Sequence, residues 1–197
     1  MEPCIETNKN KMKDFSYIKT IFAEVKSHYE CLNEVPINLI QRKLKKTTMR
    51  AQPYIFTLLK PKKNHAYKVE FSNNTHFKNF VNVMNVPENV LKGWFAHELG
   101  HIVDYQHHSF LGMIWFAIKY FFSDRFKVLA ERRADLYAIQ YGLTDYILDT
   151  KKYIIENSNL SDKYKTRIKK YYLTIDDVHK LVEMDEEKEL RFEKDIL

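Results

Sequence analysis

The sequence predicts an α+β fold, with a small N-terminal sheet set over a helical lower half that is organised around one central helix. Three observations carry this. The chain of 197 residues has only 4 Gly and 5 Pro, too few for a turn-rich all-β protein. Hydrophobic content of 45% with 14% aromatic residues is enough to bury a core without a staple and rules out a largely disordered chain. Short β-branched and aromatic segments are confined to the first third, and helical periodicity takes over after it. Residues 1–197 are read as a single domain.

The elements follow in order. Over 12–32, Phe15, Ile18, Phe22, Val25 and Tyr29 recur at helical spacing and predict an amphipathic helix. Over 36–72, "INLIQRKL", "TTMRAQ", "YIFTLLK" and "AYKVEFS" are bounded by Pro53, Pro61 and Asn73-Asn74, which predicts three or four strands. "FKNFVNVMN" predicts a short helix. The segment "VPENVLKGWFAHELGHIVDY" starts a helix at Pro87 with Glu88 in its first turn, where an acid suits the helix dipole. An apolar helix follows at 109–122 and another at 126–141, ended by Gly142; these complete the helical block 88–142. The remainder, 144–197, reads as helices near 144–157, 161–171 and 174–190, the last opened by a Thr174–Asp177 capping pair.

Charge and cysteine usage narrow the setting. Net charge is +6, but Glu183 to Leu197 carries seven acidic against three basic residues, a net −4 that leaves +10 on the rest. The basic residues scatter over helix faces, so no nucleic-acid partner is expected. Cys4 and Cys31 form no CxxC pair and no apolar run follows a basic N-terminus, so the expected location is cytoplasmic. Residues 110–122, "FLGMIWFAIKYFF", are too short to span a bilayer and contain Lys119; they are read as a buried core helix, with peripheral membrane contact as the lesser alternative.

Chemistry concentrates in "HELGH". His97 and His101 lie one turn apart on one helix face, where two imidazoles can meet one tetrahedral metal ion. Glu98 is rotated by about 100° from His97; it cannot join that ligand face, but it can act as general base on a zinc-bound water. The helix is apolar on most sides (Val90, Leu91, Trp94, Phe95, Leu99, Ile102, Val103), so the polar trio is buried and needs partners. Gly100 in mid-helix sacrifices helix propensity, which implies a close-packed neighbour.

A third ligand is required. Glu131 in "AERRAD" offers a carboxylate, and Asp135, one turn on, offers a second carboxylate to hold the N–H of a liganding histidine. His107 is the alternative, because "HELGHIVDYQH" has the metzincin ligand spacing, although Asp104 stands where that pattern has glycine. Glu131 is preferred. Tyr137 and Tyr141 are candidate stabilisers of a developing oxyanion, with Tyr105, His65 and His76 behind them, and Tyr67 to Ser72 is the candidate edge strand for an extended substrate.

"HELGH" followed by ExxxD from Glu131 to Asp135 resembles the gluzincin metallopeptidases. Within them, "HELGH…ERRADLYAIQYG" is most similar to the CAAX-prenyl-endopeptidase-like group and the small soluble minigluzincins, over about residues 90 to 142. The resemblance implies a zincin-like fold. It also implies one catalytic Zn2+ bound by His97, His101 and Glu131, with Glu98 as base and acid, Asp135 supporting a ligand, and a peptide or protein substrate. The transmembrane helices of the group's membrane members have no counterpart in this chain. The expected function is zinc-dependent peptide-bond hydrolysis; the alternative is a catalytically weak or inactive zincin-like scaffold that binds metal and regulates.

Overall fold

The computed structural model describes residues 14–44, 47–72, 83–157 and 160–184. The first helix, α1 (Phe15–Ser27), is capped by the Asp14 side chain, which accepts from the Tyr17 amide, and it buries the stripe Ile18, Ile21, Phe22 and Val25. Three strands follow: β1 (Ile37–Gln41), β2 (Met49–Pro53) and β3 (Tyr67–Phe71). Five α-helices complete the set: α2 (Glu88–Gln106), α3 (Phe110–Phe122), α4 (Asp124–Gln140), α5 (Thr144–Glu156) and α6 (Asp162–Tyr171). A further helical stretch covers 175–184, opened by reciprocal bonds between Thr174 and Asp177, as the sequence predicts. The architecture is α+β.

The sheet runs in the order β1-β3-β2, with β1 parallel and β2 antiparallel to β3. This corrects the expectation that Tyr67 to Ser72 forms an edge. β3 pairs with a strand on each side and buries Tyr67, Val69 and Phe71 fully, so it is the central strand, and β1 and β2 are the edges. The third of the four expected segments, "YIFTLLK", is a 3-10 turn, Ile55–Leu59. Thr57 Oγ1 donates to the Tyr54 carbonyl at 2.7 Å and accepts from the Ala66 amide at 3.0 Å, and these local bonds give the backbone a turn in place of a ladder. Of the expected helix at 77–85 only a 3-10 turn, Val83–Asn85, is described. His76 and the acidic stretch beyond Met184 lie outside the described residues.

Helix α2 passes through the middle. Every residue from Val90 to Asp104 is buried, enclosed by α1, α4, α5 and β2. Close approach is bought by glycine: a Cβ on Gly100 would lie 2.3 Å from the Ala134 carbonyl oxygen of α4, and one on Gly93 would lie 2.2 Å from the Tyr146 carbonyl of α5. Against α1, Phe95 meets Phe22 edge to face at 5.2 Å, and the Tyr29 hydroxyl donates to the Ala96 carbonyl at 2.6 Å. One buried cluster extends from Ile18 to Val178, so sheet and helices share a core.

Helix α3 departs from expectation. Only Met113 and Phe116 are buried, packed with Leu58 and Ala130, with Phe110 and Tyr120 half-buried against them, while Leu111, Ile114, Trp115, Ile118, Phe121 and Phe122 are exposed. Among the described residues no helix is long and apolar enough to cross a membrane.

Candidate metal centre

Two helices build the site. Helix α2 supplies His97, Glu98 and His101; α4 supplies Glu131 and Asp135, and the Gly100–Ala134 approach sets the two helices backbone to backbone at that level. Ligand atoms of His97, His101 and Glu131 all lie within 4.8 Å of one another, and all three residues are buried. Glu131 Oε2 is 3.1 Å from His97 Nε2 and 3.4 Å from His101 Nε2. The two imidazole rings stand nearly perpendicular, with centroids 4.7 Å apart.

The surrounding groups fix these orientations. Burial disfavours the Asp135 charge, but Lys151 and His97 outweigh it and lower its pKa, so the carboxylate accepts only. His97 Nδ1–H therefore donates to Asp135 Oδ1 at 2.9 Å and turns Nε2 towards Glu131. Asp135 Oδ2 in turn accepts from Lys151 Nζ at 2.7 Å and from the Leu173 amide at 3.2 Å. Glu131 Oε1 accepts from the Tyr120 hydroxyl of α3. His101 stacks on Tyr105, and its Nδ1 is buried with no hydrogen-bond partner among the described residues.

The titrations follow from these contacts. Burial opposes the His97 charge, yet the bonds and charges of Asp135 and Glu131 prevail and push its pKa up to about 10. Burial likewise opposes the Glu131 charge, but His101 and His97 hold its carboxyl well below the usual range. Glu98 moves the other way. Burial raises it, Glu131 adds to the rise, and the two histidines with the Ala51 backbone of β2 offset only part.

A donor set of two imidazoles and one carboxylate, buried and convergent, could hold a metal ion. An open cleft of about 1070 Å³ leads to it, walled by Arg50, Ala51 and Gln52 of β2, by Tyr105, Met113 and Phe116, and by Tyr120 and Tyr172.

Of the other sequence candidates Tyr105 lines the cleft beside His101, and the remaining described ones lie elsewhere. His107 caps the C-terminus of α2 and stacks on Tyr137, 6.3 Å between centroids, outside the ligand cluster. Tyr141 donates to Cys31 Sγ at 3.0 Å, and neither Tyr137 nor Tyr141 lines the cleft. His65 is tied to the Lys60 carbonyl at 3.1 Å, away from the cleft lining. Sequence reasoning missed Tyr120, Lys151 and Tyr172. Only Tyr120 left a signal, as one of the few polar tips in an apolar helix. Comparisons with protein-family models, with curated proteins and with solved structures find no match, so the functional case rests on the site's own chemistry.

Proposed function

We propose that this chain is a zinc-dependent metallopeptidase of gluzincin type, with His97, His101 and Glu131 as the ligands and Glu98 as the proton carrier. The observation that carries the reading is the convergence of three buried ligand atoms from α2 and α4 with an independent carboxylate, Glu98, on the cleft wall beside them. A zinc ion bound there would polarise a scissile carbonyl and make a water acidic enough to be a nucleophile at neutral pH.

The chain's own residues do the rest. Glu98, whose burial raises its pKa, accepts the water's proton and hands it to the leaving amine. Asp135 holds His97 in the tautomer that presents Nε2. Tyr172 lines the cleft with its ring 5.1 Å from His97, and burial keeps its hydroxyl protonated, so it can donate to a developing oxyanion. This gives Tyr172 the role that sequence reasoning offered to Tyr137 and Tyr141. An extended peptide entering the cleft meets β2, an edge strand, which can take a further strand up to Pro53.

The test is Glu98→Gln in the zinc-loaded protein, assayed on casein and on a quenched peptide library. Hydrolysis should fall by at least about a hundredfold while zinc stoichiometry stays at wild type. Equal hydrolysis by wild type and variant, or none by a zinc-loaded wild type, would remove the peptidase reading; the second result leaves a metal-binding scaffold.

A further inference from the structure

We infer that the outer rim of the cleft docks on an anionic lipid surface, with α3 and the Ile55–Leu59 turn lying in the interface. This does not depend on the peptidase reading. The two segments expose large apolar side chains: Phe56 and Leu59 from the turn, Leu111, Trp115, Phe121 and Phe122 from α3. Phe56, Phe121 and Phe122 are each about four-fifths exposed or more, a cost no isolated domain gains from. The two segments are joined beneath by Leu58 packing with Met113 and Phe116, so the patch is one surface and not two scattered ones. Phe56 and Phe121 also line the cleft, which places the mouth of the metal centre at the patch.

Charge identifies the occupant. Lys60, Lys62 and Lys63 directly follow Leu59; all three are exposed and none has a salt bridge among the described residues. Lys119 projects from α3 itself, its ammonium 5.7 Å from the Phe126 ring centroid. Apolar side chains with aromatic tips, bordered by lysines, match acyl chains below and anionic headgroups around them. A second copy seated on the same patch would bring these lysine clusters towards each other. With 13 residues, α3 spans about 20 Å, and no described helix can cross a bilayer, so the contact is interfacial. The consequence is a cleft that opens at a membrane surface, suited to polypeptide segments lying there.

The experiment uses the full chain with sonicated vesicles of phosphatidylcholine, with and without phosphatidylglycerol. Co-sedimentation should appear with the anionic vesicles and weaken as salt rises. Trp115 emission should shift to the blue, and the shift should vanish in Trp115→Phe, because the other tryptophan, Trp94, is buried. The double variant Phe121→Asp, Phe122→Asp should partition more than about tenfold less. Replacing Lys60, Lys62 and Lys63 with Gln should cost about fivefold per lysine on anionic vesicles only. All six positions are exposed, and circular dichroism melts check that the variants fold. Absence of binding at low salt, or binding unchanged by both variants, overturns the inference. So does self-association of the wild type that the Phe121, Phe122 variant abolishes, which would assign the patch to a second copy.

Discussion

Gly100→Ala should damage this protein in the middle of a helix, where the same change normally helps. Intrinsic propensity favours Ala over Gly by about 1 kcal/mol in a helix interior. Here the added methyl would sit 2.3 Å from the Ala134 carbonyl oxygen and 3.0 Å from its Cα, whereas ordinary contact starts at 3.4 Å. The obstacle is backbone, so α4 must retreat by about 1 Å or bend, since a close-packed interior offers no slack. Overpacking of this kind costs about 1–3 kcal/mol, which exceeds the propensity gain at its upper end and cancels it at its lower. The candidate metal site is hit harder, because Glu131 rides on α4 while His97 and His101 ride on α2. Ligand distances tolerate about 0.2 Å, so a retreat several times larger takes the carboxylate out of the cluster. Zinc affinity should fall by about a hundredfold or more, measured by competition with a chromophoric chelator, alongside an unfolding midpoint that stays level or drops. A raised midpoint with unchanged zinc affinity would refute the close-packing argument.

Glu131→Ala should abolish stoichiometric zinc by metal analysis while His107→Ala retains it; the reverse pattern would restore the metzincin spacing. Glu70 is buried and bound to Arg50 at 2.6 Å, Lys68 at 2.9 Å and Arg42 at 3.2 Å. Burial raises its pKa, but the Lys68 and Arg50 bonds more than offset this, so the folded value lies below the unfolded one and its stabilisation is present above about pH 4. Glu70→Gln should therefore destabilise by about 1–3 kcal/mol at pH 7, and the gap to wild type should close in urea melts as pH falls below the carboxylate range. Chelation should leave the chain folded, because Asp135, Lys151, His97 and Glu131 satisfy one another without an ion. Zinc at a hundred times its Kd should add about 2.7 kcal/mol, read as a rise in the thermal midpoint.

What the sequence could show depended on how local the determining interaction is. His97, Glu98 and His101 declare themselves because helix pitch alone fixes their relation. Glu131 and Asp135 were legible because one helical turn separates them, so two carboxylates on one face read as a pair. The Gly100 contact was legible as a requirement, though its partner, Ala134, was not. Strand order was hidden: the parallel pairing of β1 with β3 encloses β2's entire span, and no periodicity within "AYKVEFS" distinguishes a central strand from an edge. The exposure of α3 was hidden for a related reason. An unbroken apolar run reads alike whether a core or an interface covers it, and only the packing of Met113 and Phe116 on Leu58 shows which stripe turns inward. Tyr137 and Tyr141 shared a helix with Glu131, but their positions carry them round to Cys31 and His107, away from the cleft.

On the proposed reading, the two glutamates of the site divide their work through their surroundings. Both are buried to a similar degree, at 8% exposure for Glu98 and 3% for Glu131, so desolvation alone would raise both and distinguish neither. What separates them is the number of donors. Glu131 receives His97, His101 and the Tyr120 hydroxyl at its two oxygens, and these contacts favour the charged form enough to drive it well below the ordinary range. Glu98, one residue from His97 but turned away from its ring, feels the histidines only through space and gains one backbone bond from Ala51, so burial prevails. A carboxylate held in its charged form suits a ligand; one whose pKa burial raises suits a group that must accept a proton and release it. On the proposed reading the roles are therefore not interchangeable, and moving the carboxylate from 98 to a neighbouring turn would supply charge without supplying a base.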